Sequence, residues 1–239
     1  MATVSCSSCP IRHRAVCAHC DADEFEILEK IKDYRTFKAG EQIAWRGDRM
    51  AYVASVVVGV ATLSKTLEDG RTQMVGLLLP SDFIGRPGRR LIDFDVTAVT
   101  DVTLCCFEAS AFEKLIATTP HLSQRLVEIA MDELDAARDW MLLLGRKTAR
   151  EKIATFIEML LRRQNIDGSM PLRQGLALPL TRDEIANYLG LTLETVSRQL
   201  TALKKDGVLR FTDRRHFEVI DLAALHEASG DDDDGGFID

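Results

Sequence analysis

The sequence is poor in aromatic residues and has no long hydrophobic run. Phe, Trp and Tyr make up 6% of its 239 residues. The longest mainly apolar stretch, residues 56–63, has the length of a strand and is far short of the roughly 20 residues that span a membrane. No basic-then-apolar signal sequence begins the chain, so we expect a cytoplasmic protein that makes no membrane contact. Neither a phosphate-binding glycine loop nor a hydrolase triad is evident, and we therefore expect no enzyme.

Charge is distributed unevenly along the chain, whose net charge is −7. Residues 146–227 hold more Lys and Arg than Asp and Glu, whereas residues 1–145 have the opposite balance. A mildly basic C-terminal part allows nucleic-acid binding without demonstrating it. The final segment, residues 228–239, contains five aspartates and no basic residue, and like-charge repulsion predicts an acidic disordered tail there.

Four of the six cysteines are crowded into residues 1–20, as Cys6, Cys9, Cys17 and Cys20. They form two CxxC pairs in a polar segment that is not apolar enough to build a core, so the thiols indicate metal binding or disulfides. A reducing compartment favours metal ligands. Spacing alone fits a zinc site of all four cysteines. A thiol-redox enzyme stays open, although the βαβ context of such enzymes is missing.

Residues 21–118 have the pattern of a β-rich domain. A short helix with Asp21 or Asp23 as its N-cap is expected first, and strands are expected from about Thr36. Two β-branched runs flank the turn Glu68-Asp69-Gly70 and predict a hairpin. Many short strands separated by turn residues predict a β-roll or barrel-like domain.

Residues 119–145 predict one long helix that begins at Pro120 and is broken by Gly145. Apolar residues alternate there at intervals of three and four, as in a coiled coil. This seam comprises Val127, Ala130, Leu134, Ala137, Met141 and Leu144. A second apolar flank comprises Leu126, Ile129, Trp140 and Leu143. We expect a dimerisation helix with its flank on the β-domain and its seam on a second copy. Packing on its own domain alone is the alternative.

Residues 146–227 predict a winged helix-turn-helix. After one amphipathic helix and a loop, Thr181 opens a helix with a capping box, and that helix ends at Gly190. Thr192 caps the next helix, and two strands then form a wing. A polar loop, residues 165–175, separates the first helix from this unit.

The second helix of this unit carries side chains suited to reading DNA bases, namely Glu194, Ser197 and Arg198. Arginine can bond bidentately to guanine, glutamate accepts a hydrogen bond from cytosine, and serine can contact the thymine methyl group. The residues suited to phosphates are Lys204, Lys205, Arg214 and Arg215. A solvated polar face on a small helical domain is the alternative, but the spacing, caps and wing together favour DNA binding.

The fold class is therefore α+β: a β-roll, a long dimerisation helix and a C-terminal winged helix-turn-helix. This order resembles the CRP/FNR family of bacterial transcription regulators over all but the acidic tail, and the resemblance implies that the β-roll is a sensor domain of cyclic-nucleotide-binding type. The run ETVSR, residues 194–198, is similar to the family's ExxSR recognition signature. The resemblance implies an activator that binds TTGAT–ATCAA-type palindromes in double-stranded DNA as a homodimer and contacts RNA polymerase.

The run CSSCPIRHRAVC, together with Cys105, resembles the oxygen-sensing, FnrL-like iron–sulfur branch of that family. The resemblance implies an oxygen-labile [4Fe–4S] cluster on Cys6, Cys9, Cys17 and Cys105, which promotes dimerisation and DNA binding without oxygen. Cys105 and its neighbour Cys106 point to opposite faces of a strand, so only one can face the N-terminal segment, and the family pattern fits Cys105. Cys20 is a contender for the place of Cys17. A regulator with a structural zinc ion on the four N-terminal cysteines remains the alternative.

The sequence departs from the cyclic-nucleotide branch of the family in residues 91–99, LIDFDVTAV. That branch binds the cyclic phosphate with a Glu and an Arg-Ser pair. Here the run carries two aspartates, which would repel a phosphate, and no Arg-Ser pair. We therefore expect no cyclic nucleotide.

Overall fold

A computed structural model of the chain describes residues 5–164 and 176–231. The chain divides into two compact units, Met1–Met131 and Asp132–Asp239. The expected α+β class is confirmed, with a β-rich N-terminal unit, a long helix and a winged helix-turn-helix. Within the described ranges, no helix is long and apolar enough to cross a membrane. The polar loop at 165–175 and residues 232–239 of the acidic tail lie outside the described residues.

The N-terminal unit begins with a short turn, Cys6–Ser8, and helix α1, Ala22–Ile31. Asp21 is the N-cap of α1, and Glu24 completes a capping box with it. The strands that follow are β1 (Lys32–Phe37), β2 (Gln42–Ala44), β3 (Tyr52–Val58), β4 (Ala61–Thr66), β5 (Thr72–Leu78), β6 (Phe83–Ile84), β7 (Asp95–Ala98) and β8 (Val102–Glu108). Helix α2, Ala109–Thr118, follows β8 directly. The first strand starts at Lys32, earlier than Thr36, because all of Lys32–Phe37 pairs with β8.

The strands form two four-stranded antiparallel sheets, ordered β1-β8-β3-β6 and β2-β7-β4-β5, so the expected β-roll is confirmed. The hairpin of β4 and β5 is confirmed as well. Alternate residues of β3 and β8 pack into two separate cores. Ala54, Val56, Leu104 and Cys106 belong to one of them, inside the roll. The opposite face of the same strands belongs to a second core, which also contains residues of the N-terminal segment, α1 and α2.

Helix α3, Pro120–Arg146, is the long helix that the heptad pattern predicted. Pro120 occupies its first position, where a missing N–H costs no helical hydrogen bond. The expected break at Gly145 is wrong, because the helix continues through this glycine to Arg146. The N–H of Lys147 still donates to the carbonyl of Leu143, at 3.3 Å. A glycine in the last turn is tolerated because few helical hydrogen bonds remain to be made after it.

The C-terminal unit contains the predicted helix-turn-helix. Its helices are α4 (Ala149–Gln164), α5 (Arg182–Leu189), α6 (Leu193–Lys205) and α7 (Leu222–Ser229), and its strands are β9 (Leu176–Ala177), β10 (Leu209–Phe211) and β11 (His216–Val219). The capping box at Thr181 is confirmed, and so are the left-handed stop at Gly190, with φ of 63°, and the N-cap at Thr192.

Two features of this unit differ from the sequence-based expectation. The prediction of a two-stranded wing is wrong, because β9 pairs with β11 and makes the sheet three-stranded. Helix α7 was not expected, and it runs past residue 228, where the tail was predicted to begin. Ser229 is fully buried, and the Lys147 ammonium bonds its carbonyl at 3.1 Å and also pairs with Asp231. The first residues of the predicted tail are therefore part of the packed unit.

Candidate cysteine centre and nucleic-acid interface

Three apolar residues anchor the N-terminal segment, Ile11, Ala15 and Val16, and each is at most 3% exposed. They pack in the core on the outer face of the β1-β8-β3-β6 sheet, where Leu122 of α3 is also fully buried. Leu126 and Ile129 of α3 line the same core. The segment has no core of its own, as the sequence indicated. Its apolar residues instead pack in a core that the sheet and the long helix form.

Cys105 lies on the sheet face that meets this segment. It is buried in the same core as Cys20, and Cys9 and Cys17 pack against that core. Cys106 belongs to the other core, inside the roll. The two neighbouring cysteines thus face opposite sides of the sheet, and the side of Cys105 is the one that the N-terminal cysteines share.

The thiols of Cys6, Cys9 and Cys17 lie close enough to Cys105 to influence its pKa, and we call these four thiols the four-thiol site. Burial and then Cys6, Cys17 and Cys9 raise the pKa of Cys105. Burial and then Cys9 raise the pKa of Cys17 to about 11. At neutral pH Cys17 and Cys105 are therefore protonated in the metal-free site, and metal binding to them would release protons.

Cys20 has different surroundings. Burial raises its pKa to about 12, with Cys17 as the next cause and then the carboxylates of Glu24 and Asp21. A carboxylate beside a thiol opposes the thiolate form that a metal requires. Cys17 has the opposite kind of neighbours, because Arg12 and Lys32 both act to lower its pKa. The charges around the two residues thus favour Cys17 as a ligand.

Two charged residues beside Cys6 were not anticipated from the sequence. The Lys32 ammonium lies 3.7 Å from the Cys6 sulfur and 2.7 Å from a Glu29 oxygen, and its side chain is 6% exposed. The other Glu29 oxygen accepts from the Cys6 backbone N–H at 2.7 Å. Hydrogen bonds from Cys6 and Lys32 lower the pKa of Glu29 to about 2. Lys32 ends α1 and starts β1, and no local pattern links that position to Cys6.

The segment also makes polar contacts with α3. Arg125 donates to the backbone carbonyl of Arg14 at 2.9 Å and pairs with Glu128 at 3.1 Å. His19 lies 3.6 Å from a carboxylate oxygen of the same Glu128. The arginine was unremarkable in the sequence, since a charged residue at this helix position is ordinary. These contacts join the cysteine segment directly to the long helix.

The spacing of the sulfur atoms bears on which metal the site fits. Among the described residues, no three cysteine sulfurs lie within 4.8 Å of one another. Four thiolates on one tetrahedral zinc ion, with Zn–S of about 2.3 Å, would be roughly 3.8 Å apart. Asp21, Glu24 and His121 do bring ligand atoms that close, but Glu24 is engaged in the α1 capping box. The described cysteines are therefore not arranged as a preformed tetrahedral zinc site. Four thiolates are also the donor set that a four-iron cluster requires.

Helix α6 exposes the residues expected to read DNA. Glu194 and Arg198 are exposed on it, while Val196, Leu200 and Leu203 are buried on the opposite side. Ser197 is half-buried and accepts a hydrogen bond from Arg182 at 3.3 Å, so α5 fixes its position. The phosphate-contact candidates Lys204, Lys205, Arg214 and Arg215 are all exposed. Arg182, at the start of α5, was not among the residues expected at this site.

The predicted seam on α3 is exposed along its whole length. Val127 is 61% exposed, Leu134 44% and Met141 74%. Ala130, Ala137 and Leu144 are exposed as well. Leu143 of the second flank is buried within the C-terminal unit, where Trp140 stacks on Tyr188 with ring centroids 4.2 Å apart. The flank thus packs on the chain itself, and the seam is left as an apolar stripe in solvent.

Comparison with known proteins agrees with this architecture. Residues 34–119 match the family model of the cyclic nucleotide-binding domain, and residues 151–228 match that of the Crp-like helix-turn-helix domain. A β-roll, a long helix and a winged helix-turn-helix define a class of DNA-binding transcription regulators. The chain belongs to this class, the CRP/FNR family.

Within the family the chain is a transcriptional activator of the FNR/FixK type. It is 59% identical over 236 residues to the transcriptional activator protein FnrL of Cereibacter sphaeroides, covering 97% of this chain and 94% of that protein. It is 40% identical to the nitrogen fixation regulation protein FixK of Bradyrhizobium diazoefficiens over 85% of each chain. The solved structure of FixK2 from Bradyrhizobium japonicum has 33% identity and a TM-score of 0.76, covering 83% of this chain and 97% of that one.

Proposed function

We propose that this activator is an oxygen-responsive regulator in which Cys6, Cys9, Cys17 and Cys105 hold a [4Fe–4S] cluster. The observation that carries the proposal is the burial of Cys105 in one core with the cysteine segment and the first turns of α3. Three ligands from a short segment and one from the sheet would attach that segment to the β-roll. The cluster supplies four iron–thiolate bonds that oxygen can destroy.

The contacts of the segment explain how its attachment can reach α3. With the thiolates held, Ile11 and Val16 stay packed against Leu122, and Arg14 keeps its hydrogen bond from Arg125. With the thiols released, the segment is held only by its apolar anchors and its few polar contacts, and α3 loses part of its support. The state of the thiols thereby biases the position and order of the long helix.

The exposed seam of α3 supports a homodimer as the active form. Its six residues include two alanines, and acidic residues adjoin it, so the association is weak enough to be regulated. A twofold dimer would present two α6 helices about one DNA turn apart, which fits a TTGAT–ATCAA-type palindrome. Contact with RNA polymerase and a cytoplasmic location complete the proposal, and no cyclic nucleotide takes part. Of the two aspartates expected to repel a phosphate, Asp93 pairs with Arg89 at 2.9 Å, which offsets part of its charge. The missing Arg-Ser pair therefore carries this part of the proposal.

One set of measurements tests this function. The protein is purified without oxygen and analysed for iron, acid-labile sulfide and visible absorption, and its affinity for the palindrome is measured before and after exposure to air at one salt concentration. We expect about four irons and four sulfides per chain and tighter binding before exposure. Colourless protein containing zinc would support the alternative of a structural zinc regulator. Equal affinities in the two states would refute the oxygen switch.

Arg198 offers a test of base reading that is independent of the cofactor. Arg198→Ala should cost about 1–3 kcal/mol of discrimination at the base it contacts, because a bidentate bond to guanine is lost. Lys205→Ala, at the exposed end of the same helix, is the matched control. This variant should bind all DNA sequences more weakly by the same factor. The slope of its log affinity against log salt concentration should fall by about one. Binding to wild-type and single-base variant sites over a salt series checks both, and equal loss on every sequence for Arg198→Ala would exclude base reading by this residue.

Arg125 tests the link between segment and helix. Arg125→Met keeps the apolar stem but removes the bond to the Arg14 carbonyl, a charged hydrogen bond worth about 1.5–3 kcal/mol. We expect normal iron content but roughly threefold to tenfold weaker anaerobic DNA binding, since part of that energy is the coupling. Arg138→Met is the control, because Arg138 pairs only with the exposed Asp135 among its described ion pairs. Wild-type affinity in the Arg125 variant would remove this contact from the mechanism.

A further inference from the structure

Ser55 carries a buried hydroxyl that has no hydrogen-bond partner among the described residues. The residue is 2% exposed and lies in the middle of β3. A buried polar group without a partner costs about 1–3 kcal/mol, so native proteins rarely keep one without a reason. The other side-chain atoms of this kind in the described part of the chain are nitrogens of Arg125 and Trp140.

The position of Ser55 relates it to the four-thiol site. Strand register places Ser55 directly opposite Cys105, and Tyr34 is opposite Cys105 on the other side. Opposite residues of antiparallel strands project to the same face, with Cβ atoms about 4.5–5.5 Å apart. Ser55 therefore faces the core that Cys105 and the cysteine segment share.

The neighbours of Ser55 on that face cannot satisfy its hydroxyl. Val53 and Val57, two residues away on the same strand, both belong to the apolar core. A protonated thiol is a weak acceptor, whereas a thiolate or sulfide bound to iron carries negative charge and accepts strongly. The hydroxyl is thus unpaired in the thiol form and gains an acceptor when sulfur near it becomes charged.

We propose that Ser55 is a positioning residue of the cysteine centre, whose hydroxyl donates a hydrogen bond to a sulfur atom of the bound cluster. The acceptor is the Cys105 thiolate or the sulfide next to it. This inference rests on the proposed function. Hydrogen bonds to the sulfurs of an iron–sulfur cluster stabilise its negative charge and help to set its reduction potential, and they also orient the ligating side chain.

The test compares Ser55→Ala with Ser55→Thr, which keeps the hydroxyl, and with Thr62→Val, which removes a buried hydroxyl from β4 in the other sheet. The readouts are the anaerobic rate of iron loss to a chelator, the resonance Raman iron–sulfur frequencies and the melting temperature of metal-free protein. Ser55→Ala should lose iron at least about tenfold faster, as the loss of one hydrogen bond to a charged group predicts. Its metal-free form should melt no lower than wild type, because the hydroxyl has no partner there. Ser55→Thr and Thr62→Val should release iron at the wild-type rate.

The frequencies identify the acceptor, since a shift of the terminal iron–cysteine mode indicates Cys105 and a shift of the bridging modes indicates a sulfide. Unchanged iron loss and unchanged frequencies in Ser55→Ala would overturn the inference and leave the proposed function intact. A lower melting temperature of metal-free Ser55→Ala would also overturn it, because the hydroxyl would then have a partner without the cluster. Wild-type protein without iron and sulfide would instead refute the proposed function itself.

Discussion

Cys105→Ala protein purified without oxygen should contain no [4Fe–4S] cluster and should bind the palindrome no better than air-exposed wild type. In the proposed cluster this variant would lose one of four iron–thiolate bonds, the one that would attach the cysteine segment to the sheet. We expect anaerobic affinity to fall by about 5- to 150-fold, the usual range of an allosteric coupling. Iron analysis, visible absorption and anaerobic DNA binding measure the effect.

Cys106→Ala is the matched control, since the same side chain is removed from the next position of the same strand. Cys106 is 2% exposed in the core inside the roll, on the other side of the sheet from the four-thiol site. We expect it to keep the cluster and the oxygen response, with a small loss of stability from the cavity. If both variants lost the cluster equally, overall destabilisation would explain the result, and the role of Cys105 would be unsupported.

The choice between Cys17 and Cys20 is made by a second pair of variants. Cys17→Ala should behave as Cys105→Ala does, whereas Cys20→Ala should retain iron, because Glu24 and Asp21 oppose a thiolate at Cys20. The reverse pattern would assign the third N-terminal ligand to Cys20. Zinc in place of iron in the wild type, and loss of that zinc from both variants, would indicate the four-cysteine zinc site.

Sequence patterns predicted those features that depend on residues close together in the chain. The capping box at Thr181 and the left-handed stop at Gly190 are local, and both are confirmed. The two-residue period of a strand was enough to separate Cys105 from Cys106. The 3.6-residue period of a helix separated the seam of α3 from its flank.

The features that were missed depend on pairing between distant parts of the chain. The contact of Lys32 with Cys6 and the position of Ser55 opposite Cys105 follow from strand register and from the docking of the N-terminal segment. No periodicity encodes either one. Strand β9 has only two residues, too few to show a pattern, and its strand character comes from pairing with His216 and Phe217. The expected helix break at Gly145 was wrong for a different reason. A glycine ends a helix where its backbone adopts the left-handed conformation, and at Gly145 the helix continues.

Leu134→Glu should convert the protein to a monomer and reduce its affinity for the palindrome by at least about a hundredfold. Burying a fully exposed leucine contributes about 1.5–3 kcal/mol. The substitution removes the part of this gain that two half-exposed leucines supply, and it also buries two like charges without partners, which costs more. The charge would also join Asp132, Glu133 and Asp135, which are exposed around it. Since Leu134 is 44% exposed in the single chain, the fold should tolerate the change.

Leu142→Glu is the control for this prediction, because Leu142 is 56% exposed on the same helix but lies off the seam. The two variants have the same composition and charge and differ only in which side of α3 the glutamate occupies. Sedimentation and anaerobic binding to whole and half palindromes separate the outcomes. A dimeric Leu134→Glu protein with wild-type affinity would show that the seam is not the dimer interface. A monomer that binds half-sites normally but whole palindromes weakly would show that the seam acts by joining two intact DNA-binding units, so that a signal at the cysteines needs only to alter association and never the reading of bases.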